Sequence, residues 1–312
     1  MRKTFTRFLC AAALAQIAPV SLLAQNATPH KFAAEVPLLD CDGTPCVEAR
    51  IGDGPVLKMV IDTGNVDSVL ETTLAKGAGL KPAGSMPAGA PEGMFRTAIP
   101  AISVGSVKLE NVPALAMVLG DMIAQGQMPH TDGTLAYTAF KDRVLQLDFA
   151  AQKLRISEIL TTARKCVGTC DKISLITFGK EGPLIVVADG FEINGHAVTA
   201  QVDTMYTGPL LVYTASIDKL QLAEAAKTTK SRDFPFTDGG VQMKEAVGSK
   251  EGFHAIALGP RIPLVYFPTP DVHEPDGLFD ATVGLELFYN AILTLDFHDM
   301  TISVQKNAGS AD

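Results

Sequence analysis

Two aspartates, each followed by a threonine and each closing an apolar run, are the residues of this 312-residue chain best placed to do chemistry. In the first half, Leu57-Lys58-Met59-Val60-Ile61 leads into Asp62-Thr63-Gly64. In the second, Val198-Thr199-Ala200-Gln201-Val202 leads into Asp203-Thr204-Met205. A repeated strand that delivers one carboxylate from each half suits the activation of water. Two carboxyl groups held close together cannot both ionise cheaply, so one keeps a proton while the other accepts one. Other hydrolytic machinery is not evident: there is no Gly-x-Ser-x-Gly, no phosphate loop and no cysteine in a nucleophile context. His30, His130, His196, His254, His273 and His298 lie scattered without ligand spacing and read as surface residues.

The elements that must position these aspartates read mostly as strands. Val, Ile, Leu and Thr cluster in short runs broken by Gly, Pro and Asp. Gly52-Asp53-Gly54 and Asn194-Gly195 are predicted hairpin turns, each just before an Asp-Thr strand. Helical pattern is confined to 71–79 and 214–226, with short turns near 137–140 and 285–289. Further on, Asp132-Gly133-Thr134-Leu135-Ala136 through Leu147-Asp148-Phe149 aligns without gaps on Asp280-Ala281-Thr282-Val283-Gly284 through Leu295-Asp296-Phe297. Two motifs in the same order at similar separation indicate an internal duplication. Asp148 and Asp296 end the matching strands and read as turn residues. Asp40-Cys41-Asp42-Gly43 reads as a tied turn, because it lacks the further oxygen ligands of a calcium loop.

These motifs resemble the aspartic protease superfamily, the retropepsin-like and pepsin-like enzymes. Ile61-Asp62-Thr63-Gly64 with Asp67-Ser68-Val69-Leu70 resembles the family's catalytic segment. Residues 132–136 and Thr282-Val283-Gly284 resemble its second motif, on the strand behind the catalytic loop. The resemblance spans about 32–304. It implies an all-β, two-lobed pepsin-like fold with few short helices, built from a duplicated retropepsin-like unit. By position, Asp62 and Asp203 would be the catalytic pair. Thr63, Gly64 and Thr204 would support the catalytic loops, with the threonines bonding across the lobe interface. Asn65 would donate to Asp62 and lower its pKa. Met205 stands where the family has glycine, and is expected to occupy part of the cleft or to twist its loop. Ala136 replaces the glycine of the first lobe's second motif, a milder change. Residues 81–100 and 234–247 are candidate flaps.

The organisation expected is a signal segment over 1–24, a first lobe over 25–157, a linker over 158–172, a second lobe over 173–306 and a disordered tail over 307–312. Arg2, Lys3 and Arg7 precede an uncharged apolar stretch too short and Ala-rich for a membrane span, the pattern of an export signal. Losing those three cations moves the formal charge from −8 to −11, which argues against nucleic acid as a partner and for a soluble, exported protein without membrane attachment. Cys10 would leave with the signal. Cys41 and Cys46 lie five apart and Cys166 and Cys170 four apart, so two local disulfides are preferred over cross-pairing or free thiols. Zinc is disfavoured, since neither pair has two-residue spacing and no histidine is close by.

No metal or cofactor is expected, and the expected partner is a peptide or protein substrate. The reading is an exported aspartic endopeptidase. Its rivals are a non-catalytic relative that binds peptides in the same cleft, and an enzyme active only as a dimer of first lobes.

Overall fold

The computed structural model describes residues 31–307 apart from 87–89, 127, 164–165, 167, 178–183, 234–241, 248–250, 254–255, 259–263, 269–273 and 276. The expected signal segment, nearly all of the expected tail and the tip of the second candidate flap therefore lie outside the described residues. No helix among the described residues is long and apolar enough to cross a membrane.

The chain is all-β with a few short helices. In the first lobe, strand Val56–Asp62 runs parallel to Gly133–Ala136, which pairs antiparallel with Ser68–Glu71, which in turn runs parallel to Val107–Met117. Phe95–Val104 pairs with Val107–Met117 and also with Thr44–Ile51, which closes the sheet on itself. The second lobe repeats the central order: His196–Val202 is parallel to Ala281–Val283, then antiparallel to Leu210–Val212, then parallel to Leu264–Phe267. The duplication seen in the motifs is thus a duplication of topology. Covered faces explain the continuous apolar run Met59-Val60-Ile61 in the first lobe, whereas the second-lobe strand alternates buried Val198, Ala200 and Val202 with half-buried Thr199 and Gln201. Met59, Val60 and Ile61 are fully buried, as are Ala200 and Val202.

The lobes share an antiparallel sheet in the order Phe32–Pro37, Lys153–Ser157, Val144–Asp148, Ala291–Asp296, Thr301–Lys306 and Asp171–Thr177. At its centre the two Leu-Asp-Phe strands pair with each other, Leu147 opposite Leu293 and Leu145 opposite Leu295. The matching positions in the two halves differ by 148 residues here, so the pair Gln146–Thr294 maps onto itself. Its side chains join at 3.0 Å, the Gln146 amide donating to the Thr294 hydroxyl, and mark the pseudo-twofold axis. Each terminal phenylalanine crosses to the other lobe: Phe149 stacks on Phe288 and Phe297 meets Tyr137 edge-on. Asp148 and Asp296 accept from downstream amides and hold the turns, as expected.

The turns behave as their residues require. Asn194 and Gly195 sit at φ 51° and 78°, the left-handed pair that a two-residue hairpin demands. A helix forms over Thr72–Gly77, but the helical expectation over 214–226 resolves into a 3-10 turn, Thr214–Ser216, and a separate helix, Ala223–Lys227. Gln221 between them lies at φ 56°, which no continuous right-handed helix accommodates. The strand Asp171–Thr177 takes in the last two residues of the predicted linker. Residues 81–83 fold back on Phe95–Val104, Ala83 donating to the carbonyl of Arg96 at 2.7 Å. Lys230–Asp233 and Gln242–Val247 pair as a hairpin at the second candidate flap.

Candidate active site

Each aspartate ends a strand clipped from behind by the second motif. Asp132 accepts from the Lys58 amide at 2.8 Å and donates its own amide to the Lys58 carbonyl. Asp280 does the same with Thr199, at 3.1 Å. These identical aspartates fix the strands four residues before Asp62 and Asp203. After the turn, Tyr137 donates to the Asn65 carbonyl at 3.1 Å and Leu285 to the Tyr206 carbonyl at 2.9 Å. Gly284 is needed for space here, since a methyl group on it would lie 2.4 Å from the Tyr206 carbonyl oxygen. Ala136, at the matching place in the first lobe, is fully buried, and its amide donates to Ser68 Oγ at 3.0 Å.

The two loops meet at the lobe seam. The Thr63 amide donates to Thr204 Oγ1 at 3.1 Å and the Thr204 amide donates to Thr63 Oγ1 at 3.3 Å. Each hydroxyl then reaches the opposite strand, Thr63 donating to the Val202 carbonyl at 2.8 Å and Thr204 to that of Ile61 at 2.5 Å. Both threonines are at most 1% exposed, so these bonds form away from water and removing a partner strands a buried group. Asn65 also forms a bridge with Ile185 of the second lobe. The structure brings together Asp62, Thr63, Gly64, Asn65, Asp203 and Thr204. The cysteines pair as Cys41–Cys46 and Cys166–Cys170 and lie outside that group, with Cα separations of 5.9 and 6.3 Å.

The carboxylates are held alike. Asp62 accepts from the amides of Gly64 and Asn65, and its Oδ2 takes the Asn65 side-chain amide at 2.8 Å. Asp203 Oδ1 accepts from the amides of Met205 and Tyr206, at 2.8 and 3.2 Å. The carboxyl of Asp203 lies over Gly64: a methyl group there would sit 2.7 Å from Asp203 Cγ and 3.0 Å from Oδ2. Gly64 is therefore required by space; its φ is not in the left-handed range.

Their surroundings differ. Asp62 is 2% exposed and its Oδ1 meets no hydrogen-bond partner among the described residues, whereas Asp203 is half-buried. Burial away from water pushes the Asp62 carboxyl up to about 6, against the lowering by Asn65 and Gly64. The expected lowering by Asn65 is present but outweighed.

Met205, which stands where glycine was expected, keeps the loop's bond to the carboxylate. Its amide still donates to Asp203, and its side chain rests on the buried first-lobe cluster of Cys41, Cys46 and Val60. Gln201 escaped sequence reasoning altogether. Its amide donates to the Gly64 carbonyl at 3.3 Å, and its oxygen accepts from Thr282, whose hydroxyl also joins Tyr213. Its position two before Asp203, on the same strand face, was the signal available. His298 is a smaller departure from the surface reading, its ring only 20% exposed between Asp142 and Asp299. No group of three or more potential metal ligands occurs among the described residues.

Two like β lobes each present an Asp-Thr loop to a common seam, the arrangement that the resemblance to aspartic proteases implied. Residues 47–135, within the first lobe, match the family model described as aspartyl protease. A comparison with curated proteins finds no match.

Proposed function

We propose that this chain is an exported aspartic endopeptidase whose site is completed within one chain by Asp62 and Asp203. The observation that carries this reading is the position of the Asp203 carboxyl over Gly64, two residues from Asp62, with both carboxylates cradled by the second and third amides that follow them. In the mechanism, Asp203 is ionised and accepts a proton from water. The resulting hydroxide adds to the peptide carbonyl carbon, and Asp62 gives its proton to the carbonyl oxygen. Return of a proton to the amide nitrogen then lets the C–N bond break. The high pKa of Asp62 suits the donor role, and the more exposed position of Asp203, which leaves its charge closer to water, suits the ionised role.

The intrachain bonds of Thr63 to Thr204 favour this over a dimer of first lobes, because they occupy the surface such a dimer needs. The two disulfides are compatible with an oxidising, extracytoplasmic compartment. Incubation of the mature protein with denatured casein between pH 3 and 7 tests the reading. Pepstatin-sensitive cleavage, with kcat/KM falling as pH rises through about 6, is expected. Absence of cleavage, with peptide binding retained, would leave the binding-module rival.

A further inference from the structure

The two loops make matching contacts across the seam with opposite chemistry. Val60 and Gln201 hold equivalent places, each two residues before its aspartate; Gly64 and Met205 likewise stand two residues after. In one direction the Gly64 carbonyl accepts from the Gln201 side chain. In the other, Met205 packs against the buried cluster that Val60 forms with Cys41 and Cys46, Val60 being fully buried and paired in the ladder with Cys46. A polar contact on one side of the axis is answered by apolar packing on the other. Beneath Val60 lies the Cys41–Cys46 bridge, both sulfur residues at most 4% exposed, tying the hairpin of Leu39–Cys41 and Thr44–Ile51. Leu39 of that hairpin packs on the same cluster as Met205.

We propose that Met205 is a positioning residue, an apolar anchor that seats the Asp203 loop on the first lobe, and that the Cys41–Cys46 bridge is the floor of its seat. The proposal rests on the endopeptidase reading for its kinetic consequence but not for its structural one. Methionine suits the place: an unbranched, polarisable chain fills an irregular apolar gap. The loop glycine's other duty, an amide donated to the carboxylate, does not require glycine, and Met205 performs it at 2.8 Å. Restoring glycine would thus leave the amide in place but remove the anchor, and would free the second loop relative to the first. Reduction of the bridge would act on the same contact from below.

Two readouts test this on the mature protein: steady-state kinetics on a peptide substrate, and hydrogen exchange at the Tyr206 amide, which donates to Asp203. Met205→Gly is expected to lower kcat by about tenfold or more, as small misplacements of reacting groups do, with KM little changed, and to lose Tyr206 protection. Met205→Leu is expected to recover most of both. Cys41→Ala/Cys46→Ala is expected to resemble Met205→Gly, while Cys166→Ala/Cys170→Ala resembles the wild type. Equal or faster turnover in Met205→Gly with Tyr206 protection unchanged would overturn the proposal and make Met205 a mere intrusion. Should the wild type hydrolyse nothing, the endopeptidase reading fails, and exchange at Tyr206 still decides the anchor. Should the first bridge variant unfold its lobe, the single substitutions at Met205 decide it.

Discussion

Gly64 presents a bare Cα to the carboxyl of Asp203, so the loop carrying one aspartate is shaped by the other lobe's aspartate. Gly64→Ala would force a methyl carbon to within 2.7 Å of Asp203 Cγ, and the carboxyl or the backbone must move. Overpacking of this kind costs about 1–3 kcal/mol, a modest loss of stability. The displacement of a reacting group is expected to lower kcat by about 100-fold. Urea unfolding and peptide kinetics on the same preparation check both effects. Full activity in Gly64→Ala would mean that the contact has no catalytic role.

Thr204→Val keeps the shape of a fully buried side chain while removing the donor to the Ile61 carbonyl and the acceptor for the Thr63 amide. Stranding a buried polar group costs about 1–3 kcal/mol. The expected destabilisation is in that range, read as a lower urea midpoint. Because Thr63 and Thr204 bond each other, Thr63→Val/Thr204→Val is expected to cost less than the sum of the single changes by at least about 0.5 kcal/mol.

The raised pKa of Asp62 makes stability depend on pH in a definite direction. The folded protein binds this proton more tightly than the unfolded chain, whose reference value is 3.8, so between about 4 and 6 it holds more protons. Stability therefore falls as pH rises through that window and levels off above it. A shift of roughly 2 pKa units corresponds to about 3 kcal/mol. Asp62→Asn cannot titrate, and its stability is expected to be flatter between pH 4 and 6 than that of the wild type. Thermal unfolding across that range provides the check, and an identical slope in both proteins would contradict the assignment.

Asn65 donates to Asp62 Oδ2 at 2.8 Å and favours the ionised form. Asn65→Ala removes that donor, so the Asp62 carboxyl is expected to titrate higher still. In kcat/KM against pH, the alkaline limb then moves to higher pH. A limb that stays in place would show that Asn65 does not govern this proton.

Much of this architecture was legible because duplication leaves the same residue doing the same job twice. Asp132 and Asp280 are identical because each clips the strand that delivers an aspartate. Leu147-Asp148-Phe149 and Leu295-Asp296-Phe297 match because they meet around the axis through Gln146 and Thr294. What escaped reading depends on partners across the seam. Gln201 looks like an ordinary polar position of an alternating strand, and only the folded chain sets it beside Gly64, 137 residues away. Met205 was judged by the family's glycine, but its effect depends on Val60 and the bridge, which no local pattern reveals. The helix expected over 214–226 broke at Gln221, whose left-handed backbone is imposed by the tight turn that buries Leu220 and Leu222.

The central claim is that one chain holds one site made of a carboxylate from each lobe. Asp62→Asn and Asp203→Asn, purified separately and assayed alone and mixed on the same peptide substrate, test it most directly. Loss of cleavage in each variant, with no recovery on mixing, is the predicted result. Retained cleavage by Asp203→Asn, or activity regained on mixing, would contradict it.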